Sequence, residues 1–451
     1  MSDIDKGDSL KLAELLGSLS YALDMTEGQP EGHCMRCCWI GVHIGRQIGL
    51  EDAAIWGLYY TLLLKDLGCS SNAARICELY LTDDLNFKHD FKLAGTNVSQ
   101  ILGFVFEHTG KNVGWSKRLT TILNIIRNGD AIAQELIQTR CNRGAQIARK
   151  LRFPETVALG IHSLDEHWNG SGHPEALRGD SIPLNARIAL LSQIIDVFNF
   201  SNGQAAAMAE IRQRAGNWFD PDLVSAFEKV AKIPAFWQTL NSQDIDQAVF
   251  SLEPADFSMP LDEDYMDDIA AAFGQVIDSK SPFTAGHSER VAFYACAIAE
   301  QFNLPEPQRK DIRRAALLHD VGKLGISSSI LEKPGKLTDE EFLDVQQHAR
   351  LGEEILSKIV QFKDLATIAA AHHERLDGRG YPRRLTADQI CLETRIITVA
   401  DIFDAISAER PYHAANSIER TLEIMQGMVD SAIDRKCFDT LKTVLMLPGL
   451  E

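Results

Sequence analysis

KDLATIAAAHH, residues 363–373, puts Leu365, Ile368, Ala369, His372 and His373 at i, i+3, i+4, i+7 and i+8, one face of a helix. Upstream, LTDEEFLDVQQH (337–348) carries Thr338 and Glu341 at capping-box spacing, which predicts a helix start. Phe342, Val345, Ala349, Gly352 and Leu356 then mark its expected buried side, with His348 among them. The same period recurs nearly throughout the chain, and alternating strand patterns are scarce. The expected fold class is all-α.

The chain has 451 residues, 45% of them hydrophobic and 24% charged, enough apolar mass for two or three globular cores. No stretch approaches the roughly 18 uninterrupted apolar residues of a membrane span, and the N-terminus is acidic where a signal peptide is basic. The cytoplasm is the expected compartment, with no membrane partner. A net charge of −18 argues against a nucleic-acid polymer as partner, because such a surface needs a basic stripe. A phosphate ester would have to be attracted locally, by metal ions and a few basic side chains. Nine cysteines, an odd number, do not form a disulfide framework. The CxxC in CMRCC (34–38) lacks a second ligand pair, so these thiols read as small apolar packing groups.

SLEPADFSMPLDEDY (251–265), with two prolines and five acidic residues, reads as a linker. It separates an expected domain at 1–255 from another at 256–451. The two halves repeat each other. His33 precedes Leu50 by 17 residues and Asp66 by 33, and His287 precedes Leu304 and Asp320 by the same intervals. Further on, HWNGSGHPEALRGDSIPLNARIALLSQIIDVF (167–198) parallels RLDGRGYPRRLTADQICLETRIITVADIFDAI (375–406) without a gap. The offset falls from 254 residues to 208, so the first copy carries about 46 extra residues in its middle.

The second copy concentrates metal-ligating side chains: His287, His319, Asp320, His348, His372, His373 and Asp401. A lone histidine on an apolar face is usually a satisfied core residue. Five histidines and two aspartates on the inward faces or ends of successive helices are costly to bury without a common partner. Helical bundles build metal sites in this way.

LLHDVGK (317–323), ILEKPGKLTDEE (330–341), HHERLDGRGYP (372–382) and RIITVADIFDAISAERPY (395–412) resemble the signatures of the HD-GYP phosphodiesterases. These are HD metal-dependent phosphohydrolases that open bacterial cyclic dinucleotides. The resemblance covers residues 280–415 in order. It implies two HD-type helical domains in tandem, the first degenerate. It also implies one metal on His287, His319, Asp320 and Asp401, and a second on His348, His372 and His373 with Asp320 bridging. Imidazoles with a bridging carboxylate suit divalent Mn, Fe, Ni or Zn. Where some relatives carry a third-metal glutamate, this chain has Phe283, so two metals are expected. Lys323 matches a lysine near the scissile phosphate, Tyr381 a substrate-contacting tyrosine and Arg410 a phosphate-binding arginine. At the position of a further cation this chain has His413.

In the first copy His33 and Asp66 persist, but His319 becomes Lys65, His372–His373 becomes Leu164–Asp165, and Asp401 becomes Gln193. The loop tyrosine becomes His173. A lysine among would-be ligands competes with a cation, so this copy is expected to be catalytically dead and to serve as a regulatory or dimerising domain. An inert first copy beside an intact second one resembles the bacterial enzymes that prefer 3′,3′-cyclic GMP-AMP over cyclic di-GMP. The alternatives are a generic HD nucleotide phosphohydrolase and a non-catalytic metal or dinucleotide sensor. A homodimer stays open.

Overall fold

The computed structural model describes residues 10–93, 98–111, 113–257, 259–408 and 415–447. Among these residues the secondary structure is helical, with isolated β-bridges and no strand. No helix among them is long and apolar enough to cross a membrane.

Six helices carry the repeat in the first copy: α1 (Leu12–Thr26), α2 (His33–Gln47), α3 (Asp52–Leu64), α4 (Trp115–Lys150), α5 (Glu155–His162) and α6 (Leu184–Arg214). Their counterparts in the second copy are α7 (Glu263–Asp278), α8 (His287–Gln301), α9 (Glu306–Leu318), α10 (Asp339–Ser357), α11 (Lys363–Ala370) and α12 (Leu392–Ser407). The chain divides into two compact units. The first holds residues 1–69, 79–81 and 86–265, and the second holds 70–78, 82–85 and 266–451. The acidic stretch at 251–265 is not bare chain: Leu252 and Tyr265 are buried, and Tyr265 donates a hydrogen bond to the Leu151 carbonyl.

Within the second unit α8 packs against both α9 and α12, and α10 against α11. The seams are apolar: Val291, Ala295 and Ile298 of α8 meet a core that includes Ile312, Ala315, Ile396 and Phe403, all essentially inaccessible. Each large side chain buried there contributes about 1.5–3 kcal/mol. The first unit repeats the scheme, α2 packing on α3 and α6, and α4 on α5.

The two helices that open on a histidine, α8 and α2, start in the same way. Gly286 (φ 70°) and Gly32 (φ 82°) adopt the left-handed conformation just before α8 and α2, so the helices open at His287 and His33. A buried carboxylate then satisfies the exposed N–H groups of the first turn. Asp278 accepts from the Ser288 amide and hydroxyl, and Asp24 from the Gly32 and Cys34 amides. The capping box of α10 forms as its sequence predicts, Thr338 and Glu341 exchanging hydrogen bonds.

Two sequence expectations need correction. Helix α11 ends at Ala370, so His372 and His373 lie in the turn beyond it rather than on its face. The His372 ring itself takes the Ala369 carbonyl as a hydrogen-bond acceptor, which the next helical turn would otherwise use. Phe342 is 47% exposed and not part of the buried side of α10, because that turn overhangs a cavity near Tyr381 instead of packing on the core.

Candidate metal centre

Several segments of the second copy converge. His287 opens α8, His319 and Asp320 follow α9, His348 lies within α10, His372 and His373 follow α11, and Asp401 lies within α12. All are buried except His373, which is partly exposed. They form two groups, Asp320 with His348, His372 and His373, and His287 with His319 and Asp401. Within each group one ligand atom per residue lies within 4.8 Å of the others.

Asp320 joins the groups. Its Oδ2 faces His287 Nε2 at 3.7 Å and His319 Nε2 at 3.4 Å, while Oδ1 faces His348 Nε2 at 3.5 Å and His372 Nε2 at 3.7 Å. Asp401 Oδ1 stands 3.4 Å from His287 Nε2 and 3.8 Å from His319 Nε2. Two ligand atoms each about 2.1 Å from one ion at a tetrahedral angle stand about 3.4 Å apart, so these spacings suit a shared cation.

The tautomers point the same way. His319, His348 and His372 each place Nδ1 at 2.6–2.7 Å from the carbonyl three residues earlier, on Ala316, Val345 and Ala369. An Nδ1–H donating there leaves the Nε2 lone pair directed at the centre. With Nδ1 donating in both rings, His348 Nε2 and His372 Nε2 stand 3.4 Å apart as two facing lone pairs. His319 Nε2 and Asp320 Oδ1 are buried without any hydrogen-bond partner. Such orphaned acceptors are costly unless a cation takes their lone pairs. The donor set fits divalent metal ions.

Burial pushes the His348 pKa down to about 4 and, with the neighbouring His348 imidazole, that of His373 down to about 3. His372 is held well below the usual range by burial and by the His373 and His319 rings. Those imidazoles are neutral and available as ligands near pH 7. Burial also works against charge on His287, but hydrogen bonds to Asp401 and Asp404 outweigh it and raise its pKa to about 9. Burial raises the Asp320 and Asp401 carboxyls, yet the surrounding cationic and imidazole groups hold both well below the ordinary carboxylate range.

Lys323 sits one turn after Asp320, its Nζ 2.5 Å from Asp320 Oδ2, with a quarter of its side chain exposed. With Asp320 and His287 it lines a cavity of about 200 Å³ whose other walls include Phe283, Ile330 and Val345. A second cavity, of about 250 Å³, is lined by His372, His373, Phe342, Arg379 and Tyr381. The Tyr381 ring lies 4.7 Å from that of His373. Arg410 and His413 lie outside the described residues.

Sequence reasoning missed the support of this centre. Asp404 Oδ2 accepts from His287 Nδ1 at 2.6 Å, and Arg290 grips the same carboxylate at 2.6 and 3.0 Å. The signal was present in the repeat. His33, Arg36 and Asp196 occupy the matching positions and make the same bonds, at 2.7 Å from ring to carboxylate. Glu374 is buried and accepts from the amides of Arg383 and Leu385, holding the glycine-rich loop, as Glu166 holds the equivalent loop through Glu175 and Leu177. Gly322 also has a fixed reason: a Cβ there would meet the His348 carbonyl at 1.9 Å, and one at Gly68 would meet the Arg140 carbonyl at 1.9 Å.

That last pair shows that Arg140 stands where His348 does. In the first copy Lys65 Nζ contacts Asp66 Oδ2 and lies 3.1 Å from His33 Nε2 and 3.2 Å from Gln193 Oε1. Arg140 pairs with Asp165, the counterpart of His373. Cys69 replaces Lys323. The candidate groups His33–Cys37–Asp196 and Glu27–Asp66–Cys69 thus surround side-chain cations, and Lys92 Nζ is 2.7 Å from Glu27.

A family model described as HD domain matches residues 112–223 and 272–437. The chain is 55% identical to a 3′3′-cGAMP-specific phosphodiesterase (number 3) of Vibrio cholerae, over 98% of this chain and 96% of that protein. It is 37% identical to the cyclic di-GMP phosphodiesterase response regulator RpfG of Xanthomonas campestris, over 44% of this chain and 54% of that protein. A crystal structure of a cyclic GMP-AMP specific phosphodiesterase from V. cholerae aligns with a TM-score of 0.66 at 50% identity. That alignment covers 97% of this chain and 98% of the other.

Proposed function

This chain belongs to the HD-domain family, in its HD-GYP branch of metal-dependent cyclic-dinucleotide phosphodiesterases, and we propose that its second copy opens 3′,3′-cyclic GMP-AMP to the linear 5′-phosphorylated dinucleotide. The observation that carries the chemistry is the divided carboxylate of Asp320, one oxygen toward His287 and His319 and the other toward His348 and His372. The choice of the mixed dinucleotide is supported by similarity to the V. cholerae enzyme across both copies, including the one without intact ligands.

His287, His319, Asp320 and Asp401 would hold one divalent ion, and His348, His372, His373 and Asp320 a second, with Mn, Fe, Ni or Zn suited to the donor set. Bound there, such ions supply Lewis acidity toward the phosphate and acidify water for in-line attack. The chain's own groups do the rest. Asp404 fixes the His287 ring so that Nε2 faces inward. Lys323 lines the first cavity, where its ammonium neutralises charge building on phosphate oxygens and on the departing 3′ oxygen. The two cavities bordering the histidine cluster give each half of a cyclic dinucleotide a place, with Tyr381 as a stacking wall of the second. Arg410 and His413 are assigned to phosphate contact on sequence alone. Residues 1–255 are assigned a regulatory or dimerising role without chemistry.

Purified protein with Mn²⁺ should convert 3′,3′-cyclic GMP-AMP, and more slowly cyclic di-GMP, to linear dinucleotides separable by chromatography. Hydrolysis of nucleoside triphosphates with both cyclic dinucleotides left intact would replace this reading with a generic phosphohydrolase. Lys323→Ala should lower kcat about tenfold or more with little change in KM, if the ammonium acts on transition-state charge.

A further inference from the structure

The second compact unit contains two short pieces of the first copy's sequence, residues 70–78 and 82–85. They come from the stretch between Asp66 and Arg140, where the first copy is the longer. Within this unit Ser70 Oγ donates to the Val276 carbonyl of α7 at 2.7 Å. Asp84 is fully buried. Its Oδ1 accepts from the Ser328 amide at 2.7 Å and from the Ser327 hydroxyl at 3.4 Å. Its Oδ2 lies 3.8 Å from Lys280 Nζ.

Lys280 is itself 2% exposed, and its ammonium donates to the Leu324 carbonyl at 2.7 Å. Leu324 belongs to the single-turn helix Val321–Gly325, which also presents Lys323. Lys280 and Lys323 line the same cavity. An ammonium withdrawn from water needs a counter-charge as well as a carbonyl dipole. Asp84 brings that carboxylate and pins residues 327–328 with its other oxygen.

We propose that Asp84 is a positioning residue for catalysis: through Lys280 it fixes the Val321–Gly325 turn and so the aim of Lys323. A stretch of the inert copy thereby completes the active one. This inference rests on the reading of Lys323 as the residue that meets the phosphate, and a displaced reacting group loses rate far more readily than binding.

The test uses the full chain loaded with Mn²⁺. Asp84→Ala should lower kcat on 3′,3′-cyclic GMP-AMP about tenfold with KM and metal content unchanged, a loss in the range that outer-shell support typically carries. In a Lys323→Ala background the same change should cost nothing further, because there is no ammonium left to aim. Asp84→Asn, which keeps an acceptor for the Ser328 amide, guards against a simple folding failure and should show the same background dependence. Amide exchange across residues 321–325 should quicken in both variants, and it can be read without any substrate. Equal losses with and without Lys323, or unchanged exchange in that turn, would overturn the proposal. If the parent chain opened neither cyclic dinucleotide, the proposed function would fail, and the exchange measurement would still decide whether Asp84 holds the turn.

Discussion

In the second copy Asp320 lies between two pairs of imidazoles, with His319 Nε2 and one of its own oxygens unpartnered. In the first copy the equivalent Asp66 is met by the ammonium of Lys65, which also reaches His33 and Gln193, and the His348 position is filled by Arg140 paired to Asp165. Burial opposes charge on Lys65, yet Asp66 and its neighbours hold the ammonium's pKa well above the usual lysine range. Both copies therefore have buried carboxylates that demand cations. The first meets the demand wholly with side chains, whereas in the second Lys323 reaches only Asp320 Oδ2, and Asp320 Oδ1 and His319 Nε2 keep lone pairs suited to an exchangeable ion. The scaffold is indifferent to the source of the positive charge, and the chemistry is not, because an ammonium has no open coordination position for water or phosphate.

The contrast can be broken most severely at the ligands. Replacing His319 and Asp320 with Ala should abolish cyclic-dinucleotide hydrolysis, a loss above about 10³-fold if metal electrostatics supply the usual several kcal/mol. Circular dichroism should stay strongly helical, since the surrounding seams are apolar. Retained activity would remove the centre from the mechanism.

Next in size is the internal cation. Lys65→Met should destabilise the first unit by about 3–5 kcal/mol in urea unfolding, because Asp66 would be left buried and uncompensated. Pairing Lys65→His with Gln193→Asp sharpens the comparison, since it recreates the donor set of His287, His319, Asp320 and Asp401. The double variant should bind about one additional Mn²⁺ per chain by elemental analysis, against about two in the parent. A parent protein with metal bound in both copies would contradict the reading of Lys65 as a substitute ion.

A smaller effect is expected at the shared support. Asp404→Asn should weaken metal binding about 10–100-fold by competition with a chelator, through loss of the anion that orients His287. The matching Asp196→Asn should change thermal stability and leave metal content alone. Smallest of all is His413→Arg, which adds a fixed charge where relatives carry one. It should tighten the apparent affinity for cyclic dinucleotides by a few-fold, about 1 kcal/mol or less for one added ion pair. An unchanged KM for both dinucleotides would make that position incidental.

Much of this was legible in the residues themselves. Helical periodicity needs only local spacing, so the all-α class, the start of α10 and the duplicated framework follow from the chain read as a line. The cluster of candidate ligands stood out because histidines and aspartates recurring together at helix ends are costly to bury without a cation to share. What the line does not contain is direction. It did not say that His372 and His373 leave the helix, that Phe342 overhangs a cavity, or that Asp404 and Arg290 orient a ring more than a hundred residues away in sequence from that carboxylate. Nor did it show Arg140 in the place of His348, since the longer middle of the first copy hides that register until both glycine turns are superposed on their carbonyls. Spacing along a helix is set by the backbone alone. Which lone pair faces which carboxylate, and whether a cation of the chain already fills the gap, depend on contacts between distant segments that only the packed structure brings together.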